Sequence, residues 1–302
     1  MYVDIASSVH WASVKPSSKG WSSDKKFFVQ TTSGEKLLLR LSDMEHYDAK
    51  KREYRFIERV SELHINMSLP VEFGVCNGGK NVYMLLTWVE GDDLETVLPN
   101  LPEDEQYRLG REAGTILRRI HSIPVAEADI PASDKKAKKL AQLSRYEESQ
   151  VRLAGDAAAI QYVKDNIDLI WKEKPVYQHG DFHPGNLICM KDGSIGVIDF
   201  NRWEVGDPYE EFYKLESFGV ELSVPYCIGQ IEAYFDDAIP ADFWRALAVY
   251  VAHASLYSIK WAEKFGQKDI DGMVKRCKAA FVDYDGFKSY IPKWYRDKSV
   301  RL

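Results

Sequence analysis

Between residues 25 and 88 the apolar and polar positions fall mostly into short runs bounded by turn residues. Phe27 to Thr31 and Leu37 to Leu41, joined by Thr32, Ser33, Gly34 and Glu35, predict a hairpin. Asn81 to Trp88, after the turn Asn77-Gly78-Gly79, predicts a third strand. Residues 43–63 carry a helical period instead, with Ser42 or Asp43 as N-cap. On that helix Glu53, Phe56, Ile57 and Val60 share one face, while Arg52, Arg55, Arg59 and Glu62 take the solvent side. An acid on the apolar stripe calls for a buried cation as partner.

Beyond Trp88 the polar, glycine-containing break Val89-Glu90-Gly91-Asp92-Asp93 separates this pattern from a helical one. Leu109, Ala113, Ile116, Leu117 and Ile120 mark a core helix over 104–121, and Phe243, Leu247, Tyr250, Val251, Ala254, Tyr257 and Trp261 mark another over 242–264. Residues 133–172 predict a further helical stretch, whose opening lysines Lys135, Lys136, Lys138 and Lys139 are expected on a solvated face. The chain is therefore expected to be α+β and two-lobed, with a small β-rich N-terminal lobe over 1–88, a hinge at 89–93, and a larger, mainly helical C-terminal lobe over 94–302.

One stretch inside the helical part reads differently. Leu187 to Met190 and Ile195 to Ile198 are short strands around the turn Lys191-Asp192-Gly193-Ser194, with Asp181 and Asn186 before the first and Asp199 after the second. Three polar groups are thereby expected at one end of a hairpin.

Composition narrows the function classes. Hydrophobic residues are 45% and charged residues 28% of the 302, which is a folded globular composition. A formal net charge of -6 supplies no overall basic surface for nucleic acid. Cys76, Cys189, Cys227 and Cys277 form no C-x-x-C pair and are expected to be reduced thiols. The segment MYVDIASSVH does not read as a leader, and no apolar run approaches the ~18 residues of a membrane span, so a cytoplasmic protein without a membrane partner is expected.

Phosphoryl transfer needs a carboxylate to orient and deprotonate the attacking hydroxyl, and oxygen ligands to hold magnesium on the nucleotide phosphates. Asp181, with Asn186 five residues on and Asp199-Phe200-Asn201 closing the hairpin, matches the catalytic-loop and metal-binding order of protein kinases, without the glycine of D-F-G. With His179-Gly180-Asp181-Phe182-His183-Pro184-Gly185-Asn186, Ile198-Asp199-Phe200 and Gly206-Asp207-Pro208, the sequence closely resembles the aminoglycoside phosphotransferase and choline kinase family, most strongly over 176–216. The resemblance implies a protein-kinase-like fold and transfer of phosphate from ATP or GTP, with Mg2+, to a hydroxyl of a small molecule. It implies Asp181 as catalytic base, Asn186 and Asp199 as magnesium ligands, Arg40 and Glu53 as the phosphate-side ion pair, and the backbone of Thr87, Trp88 and Val89 against the nucleotide base. Arg40 stands where protein kinases have lysine, and a structural ion pair with Glu53 explains it equally well. No glycine-rich phosphate loop is present; Ser17 and Ser18, in the turn Ser17-Ser18-Lys19-Gly20, are the candidates for covering the phosphates, and an ordinary surface loop is the competing explanation.

Charge suggests the acceptor. Residues 1–88 hold 12 Lys+Arg against 10 Asp+Glu, and 89–302 hold 28 against 36. Asp207, Glu210, Glu211 and Glu216 follow the metal-binding segment with Lys214 as the nearby base, and are expected to attract a cationic acceptor of aminoglycoside type, or to form a solvated acidic helix face. Other readings are a choline, amino-alcohol or other metabolite kinase, a nucleotide-binding pseudokinase, and a metal-dependent hydrolase. In the last, an extended 179–183 would put His179, Asp181 and His183 on one face, although Pro184-Gly185 and Asp199 argue against it. The absence of G-x-S-x-G leaves a serine hydrolase unsupported.

Overall fold

The computed structural model describes residues 2–17 and 24–297, which form two compact units. The first contains the described residues through Asp92 together with Leu187–Trp203, and the second contains Asp93–Asn186 and the described residues from Glu204 onward.

The first unit is built on an antiparallel sheet in the order β1-β2-β3-β5-β4, with β1 at Trp11–Ser17, β2 at Lys25–Thr31, β3 at Lys36–Asp43, β4 at Pro70–Cys76 and β5 at Asn81–Thr87. The sequence pattern shows the three inner strands and misses both edges. Edge strands are exempt from two-sided burial and tolerate proline, as with Pro16 in β1 and the exposed Val71 and Val75 in β4. Along β3 the two-residue period sends Leu37, Leu39 and Leu41 into a core with Ile5, Val29, Cys76, Tyr83 and Leu85. Arg40 and Ser42 therefore point to the opposite face.

Helix α1, Tyr47–Ser61, buries Glu53, Phe56, Ile57 and Val60, and each of the three apolar side chains contributes roughly 1.5–3 kcal/mol by leaving water. It begins later than the periodicity suggests because β3 runs on to Asp43 and a short turn, Met44–His46, intervenes. The hairpin strands Leu187–Cys189 and Ile195–Val197 pair with each other. They belong with the first unit because Val197 N–H donates to the Asn66 carbonyl at 2.8 Å and the Val197 carbonyl accepts from Ser68 N–H at 3.1 Å. Gly91 has φ +152, and a Cβ there would lie 2.2 Å from the Cys189 carbonyl oxygen; only glycine permits this approach to the hairpin.

The second unit is mainly helical: α2 Leu94–Val97, α3 Glu103–His121, α4 Lys135–Glu147, α5 Ala157–Asn166, α6 Val224–Tyr234, α7 Ala241–Ala262, α8 Gln267–Asp283 and α9 Lys293–Arg296. The helical stretch expected over 133–172 consists of two helices, α4 and α5, α4 being capped by the Asp134 carboxylate on Lys136 and Ala137 N–H. Lys138 is solvated as expected, but Lys135 and Lys139 are largely covered. Lys135 pairs with Glu204 at 2.7 Å, and Lys139 pairs with Glu210 and lies over the Tyr250 ring. Helix α7 is buried on nearly every side, which its continuous apolar composition allows. Helices α3 and α6 touch backbone to backbone: a Cβ on Gly110 would be 2.1 Å from the Tyr226 carbonyl oxygen. Among the described residues no helix is long and apolar enough to cross a membrane.

Candidate active site

In the first unit Arg40 is enclosed, at 3% exposure, by two carboxylates. Its Nη1 donates to Glu53 Oε1 at 2.5 Å, and its Nε and Nη2 donate to Asp24 Oδ2 at 3.1 and 2.6 Å. Lys50 Nζ bridges the same acids, 2.8 Å from Asp24 Oδ2 and 3.0 Å from Glu53 Oε2, and Ser42 Oγ donates to Asp24 Oδ1. Burial alone would push the Asp24 carboxyl up, but Arg40 and Lys50 override it and hold it well below the usual carboxylate range. Asp24 and Lys50 have no motif to mark them; the only signal was that the acid Glu53 sits on an apolar stripe. Arg40→Met would leave Asp24 and Glu53 as poorly compensated buried anions, an expected loss of about 3–5 kcal/mol of stability. Urea unfolding of the variant measures it, and a change below about 1 kcal/mol would contradict the enclosure.

Asp199 lies at the end of the hairpin in the left-handed conformation, φ 64 and ψ 65, which few residues other than glycine adopt. Phe200 and Trp203 fasten the segment to α1 by packing on Phe56, with Trp203 stacked at 4.8 Å. Asp199 Oδ2 accepts from Lys26 Nζ at 3.3 Å, while its buried Oδ1 has no hydrogen-bond partner. An anionic oxygen buried without a donor is costly unless a cation takes it, so this atom fits a magnesium ligand.

In the second unit the strand Val176–Gln178 pairs with Glu204–Gly206 and leads into the 179–186 loop. His179 is fully buried, and its Nδ1 accepts from Asp181 N–H at 3.2 Å. Asn186 Nδ2 donates to the Asp181 carbonyl at 2.9 Å, which leaves the amide oxygen as its group for a metal. Lys214 Nζ stands 2.6 Å from Asp181 Oδ1, with Lys214 only 6% exposed and over the ring of Phe218. The sequence shows Lys214 merely as a base within an acidic run; its place on Asp181 is a tertiary fact. His179, Asp181 and His183 do not make the hydrolase site considered above. Among the described residues no three His, Cys, Asp or Glu side chains could hold a metal ion.

The acidic run is corrected by burial. Asp207 is 1% exposed and accepts from Trp171 N–H, Tyr209 N–H and Tyr250 Oη. Glu211, also buried, accepts from Phe182 N–H and so ties down the loop beside Asp181. Glu210 is taken by Lys139, and Glu216 is buried and accepts from Trp294 Nε1 at 2.9 Å. These four acidic side chains are taken up by contacts within the second unit and do not form a surface for ammonium groups.

Glu216 has a measurable consequence. Burial pushes its carboxyl up to about 8; the Trp294 N–H opposes this and the neighbouring Asp283 carboxylate adds to it. The folded state therefore keeps a proton that the unfolded chain releases near 4.5. The stabilising contribution is complete below that value and is lost as pH rises through about 8, an effect on the order of a few kcal/mol. Glu216→Gln should melt progressively higher relative to the unsubstituted chain from pH 5 to pH 8.5. A melting-temperature gap that stays constant with pH would contradict this.

On the candidate nucleotide side, Thr87 N–H donates to the Leu69 carbonyl and Trp88 N–H to the Lys36 carbonyl. These two amides are already used within the first unit, so a base would have to meet other groups of 87–89. Trp88 is 39% exposed and edge-on to Phe28. Ser17 ends β1, and Ser18 lies outside the described residues.

The geometry fits a kinase-like class, with an anchored 179–186 loop carrying Asp181 and a second aspartate, Asp199, after a hairpin. Comparison agrees: residues 13–249 match the model of the phosphotransferase enzyme family, and the chain belongs to that family. It is 29% identical over 143 residues to an aminoglycoside 3'-phosphotransferase of Escherichia coli, covering 43% of this chain and 50% of that protein. It is 29% identical over 83 residues to the KEOPS complex subunit Bud32 of Pyrococcus abyssi (strain GE5 / Orsay), covering 28% of this chain and 36% of that one. The chain thus spans about half or less of the length of these curated relatives. The solved GDP complex of aminoglycoside 2'-phosphotransferase-IIIa shares the fold, with a TM-score of 0.67, 18% identity, and coverage of 92% of this chain and 93% of that one.

Proposed function

We propose that the protein transfers the γ-phosphoryl group of ATP or GTP to a hydroxyl of a small molecule. The observation that carries the reading is the buried, partnerless Oδ1 of Asp199, an anionic oxygen whose retention is explained by a bound cation. Asp199 and the Asn186 side-chain oxygen are the magnesium ligands in this reading, both hard oxygen donors suited to that ion. Magnesium, when bound, neutralises charge on the phosphates. Asp181 orients the acceptor hydroxyl and takes its proton as the oxygen bonds to the γ-phosphorus; the bond from phosphorus to the bridging oxygen breaks, and its electron pair leaves on the nucleoside diphosphate. Lys214 and the Asn186 amide hold Asp181 at its carboxylate and its carbonyl.

The acceptor class we favour is the aminoglycoside type. It rests on the named relatives, because in the acidic run on which charge reasoning relied Asp207, Glu211 and Glu216 are buried and Glu210 is paired with Lys139. The test is nucleoside diphosphate release with ATP and with GTP over a panel of aminoglycosides, macrolides, amino alcohols and neutral sugars. Release stimulated by an aminoglycoside supports the whole reading. Stimulation by another member alone keeps the transferase and changes the acceptor. No stimulated release from a chain that binds Mg-nucleotide would favour a pseudokinase.

A further inference from the structure

A phosphotransferase of this fold is expected to hold a cation on the nucleotide phosphates, and Arg40 is the residue that sequence position suggests. The structure gives Arg40 a different occupation. Nε, Nη1 and Nη2 are all engaged by Asp24 and Glu53, and the side chain is 3% exposed. Contact with a phosphate would draw Arg40 away from two buried carboxylates that it neutralises together with Lys50.

Directly opposite Arg40 in the β2–β3 ladder stands Lys26. Cross-strand partners project from the same face of a sheet, so Lys26 emerges beside Arg40. Its Nζ lies 3.3 Å from Asp199 Oδ2, and its side chain retains 12% exposure. The two residues are 173 positions apart in the chain. Three facts thus coincide: a buried guanidinium with each of its nitrogens on a carboxylate, a neighbouring ammonium on the same face, and that ammonium on the carboxylate assigned to magnesium.

We infer that Lys26 on β2, and not Arg40 on β3, is the cation that contacts the nucleotide phosphates, Arg40 being a strut of the first unit. A lysine suits the role because a compact ammonium on a flexible stem can serve a carboxylate and a phosphate oxygen together, without the planar fit a guanidinium needs. The inference rests on the proposed phosphotransferase reading, and it assigns this chain's phosphate contact to a strand where no motif would place it.

Calorimetric and thermal-shift binding of Mg-ATP, Mg-GTP and the phosphate-free nucleosides adenosine and guanosine to the whole chain tests it without any acceptor. Lys26→Met should lose about tenfold to a hundredfold in affinity for the Mg-nucleotide, as expected for one charge-assisted contact, and leave nucleoside affinity unchanged. Lys26→Arg, which keeps the charge, should restore most of the loss. Unchanged Mg-nucleotide affinity in Lys26→Met overturns the inference, as does an equal loss for nucleosides or failure of a normally folded Lys26→Arg to restore binding. If the unsubstituted chain binds neither Mg-nucleotide, the phosphotransferase reading itself falls, which is a distinct result from an active binder indifferent to Lys26.

Discussion

Asp181→Asn is expected to reduce phosphoryl transfer by about 10²–10⁴-fold, the usual worth of a general base, while Mg-nucleotide continues to raise the melting temperature. In the 179–186 loop the Asp181 carboxylate is held by a cation, Lys214 Nζ at 2.6 Å. Asparagine keeps an oxygen for Lys214 but removes the negative charge, so some stability should be lost as well, since Lys214 is nearly buried. The informative comparison is therefore turnover against nucleotide-induced stabilisation in the same variant. Transfer at the unsubstituted rate would remove Asp181 from the mechanism. Loss of both turnover and nucleotide stabilisation would point to a collapsed loop instead.

Asp199→Ala carries the second large effect, on binding. A ligand that binds the folded state alone stabilises it by about 2.7 kcal/mol at a hundred times its dissociation constant, and the proposed metal ligation makes most of that depend on Asp199. The variant should lose the magnesium-dependent part of the nucleotide thermal shift and show only a modest drop in its own melting temperature, because the buried Oδ1 has no partner to forfeit and Oδ2 gives up only the ion pair with Lys26. Lys26 would lose its carboxylate in the same variant, so any residual nucleotide affinity should be carried by phosphate contact and be insensitive to chelation of magnesium. Equal magnesium-dependent stabilisation of the variant and the unsubstituted chain would show that Asp199 is no ligand.

Several parts of the fold and site can be read without coordinates, and the reason is local periodicity. The two-residue period around Leu37–Leu41 puts Arg40 on the face away from the apolar core, and the helical period puts Glu53 among Phe56, Ile57 and Val60. The hairpin of 187–198 follows from two short apolar runs around Asp192-Gly193, and the loop from Asp181 to Asn186 from its motif. What periodicity conveys is the face on which a residue lies. It does not convey which residue meets it there.

Partners are decided by chain segments far apart, and that is where sequence reasoning stopped or went wrong. Arg40 is enclosed by Asp24 as well as Glu53, and Lys26 reaches Asp199 from another part of the chain. The run from Asp207 to Glu216 reads as a solvated or ligand-facing acidic surface, because composition assigns charge to water by default. Its burial depends on distant donors, Tyr250, Trp294 and Lys139, that lower the cost of taking carboxylates out of solvent. The same holds for Leu187–Trp203, which joins the first unit although it follows the catalytic loop in order, because its backbone groups are satisfied by Asn66 and Ser68. By itself the sequence determined the kinase-like class and marked Asp181, Asn186 and Asp199 as its candidate site residues, since these depend on residue type and short spacing. Only the tertiary structure decided which cations and carboxylates neutralise one another, since that depends on distances between segments that no local pattern encodes.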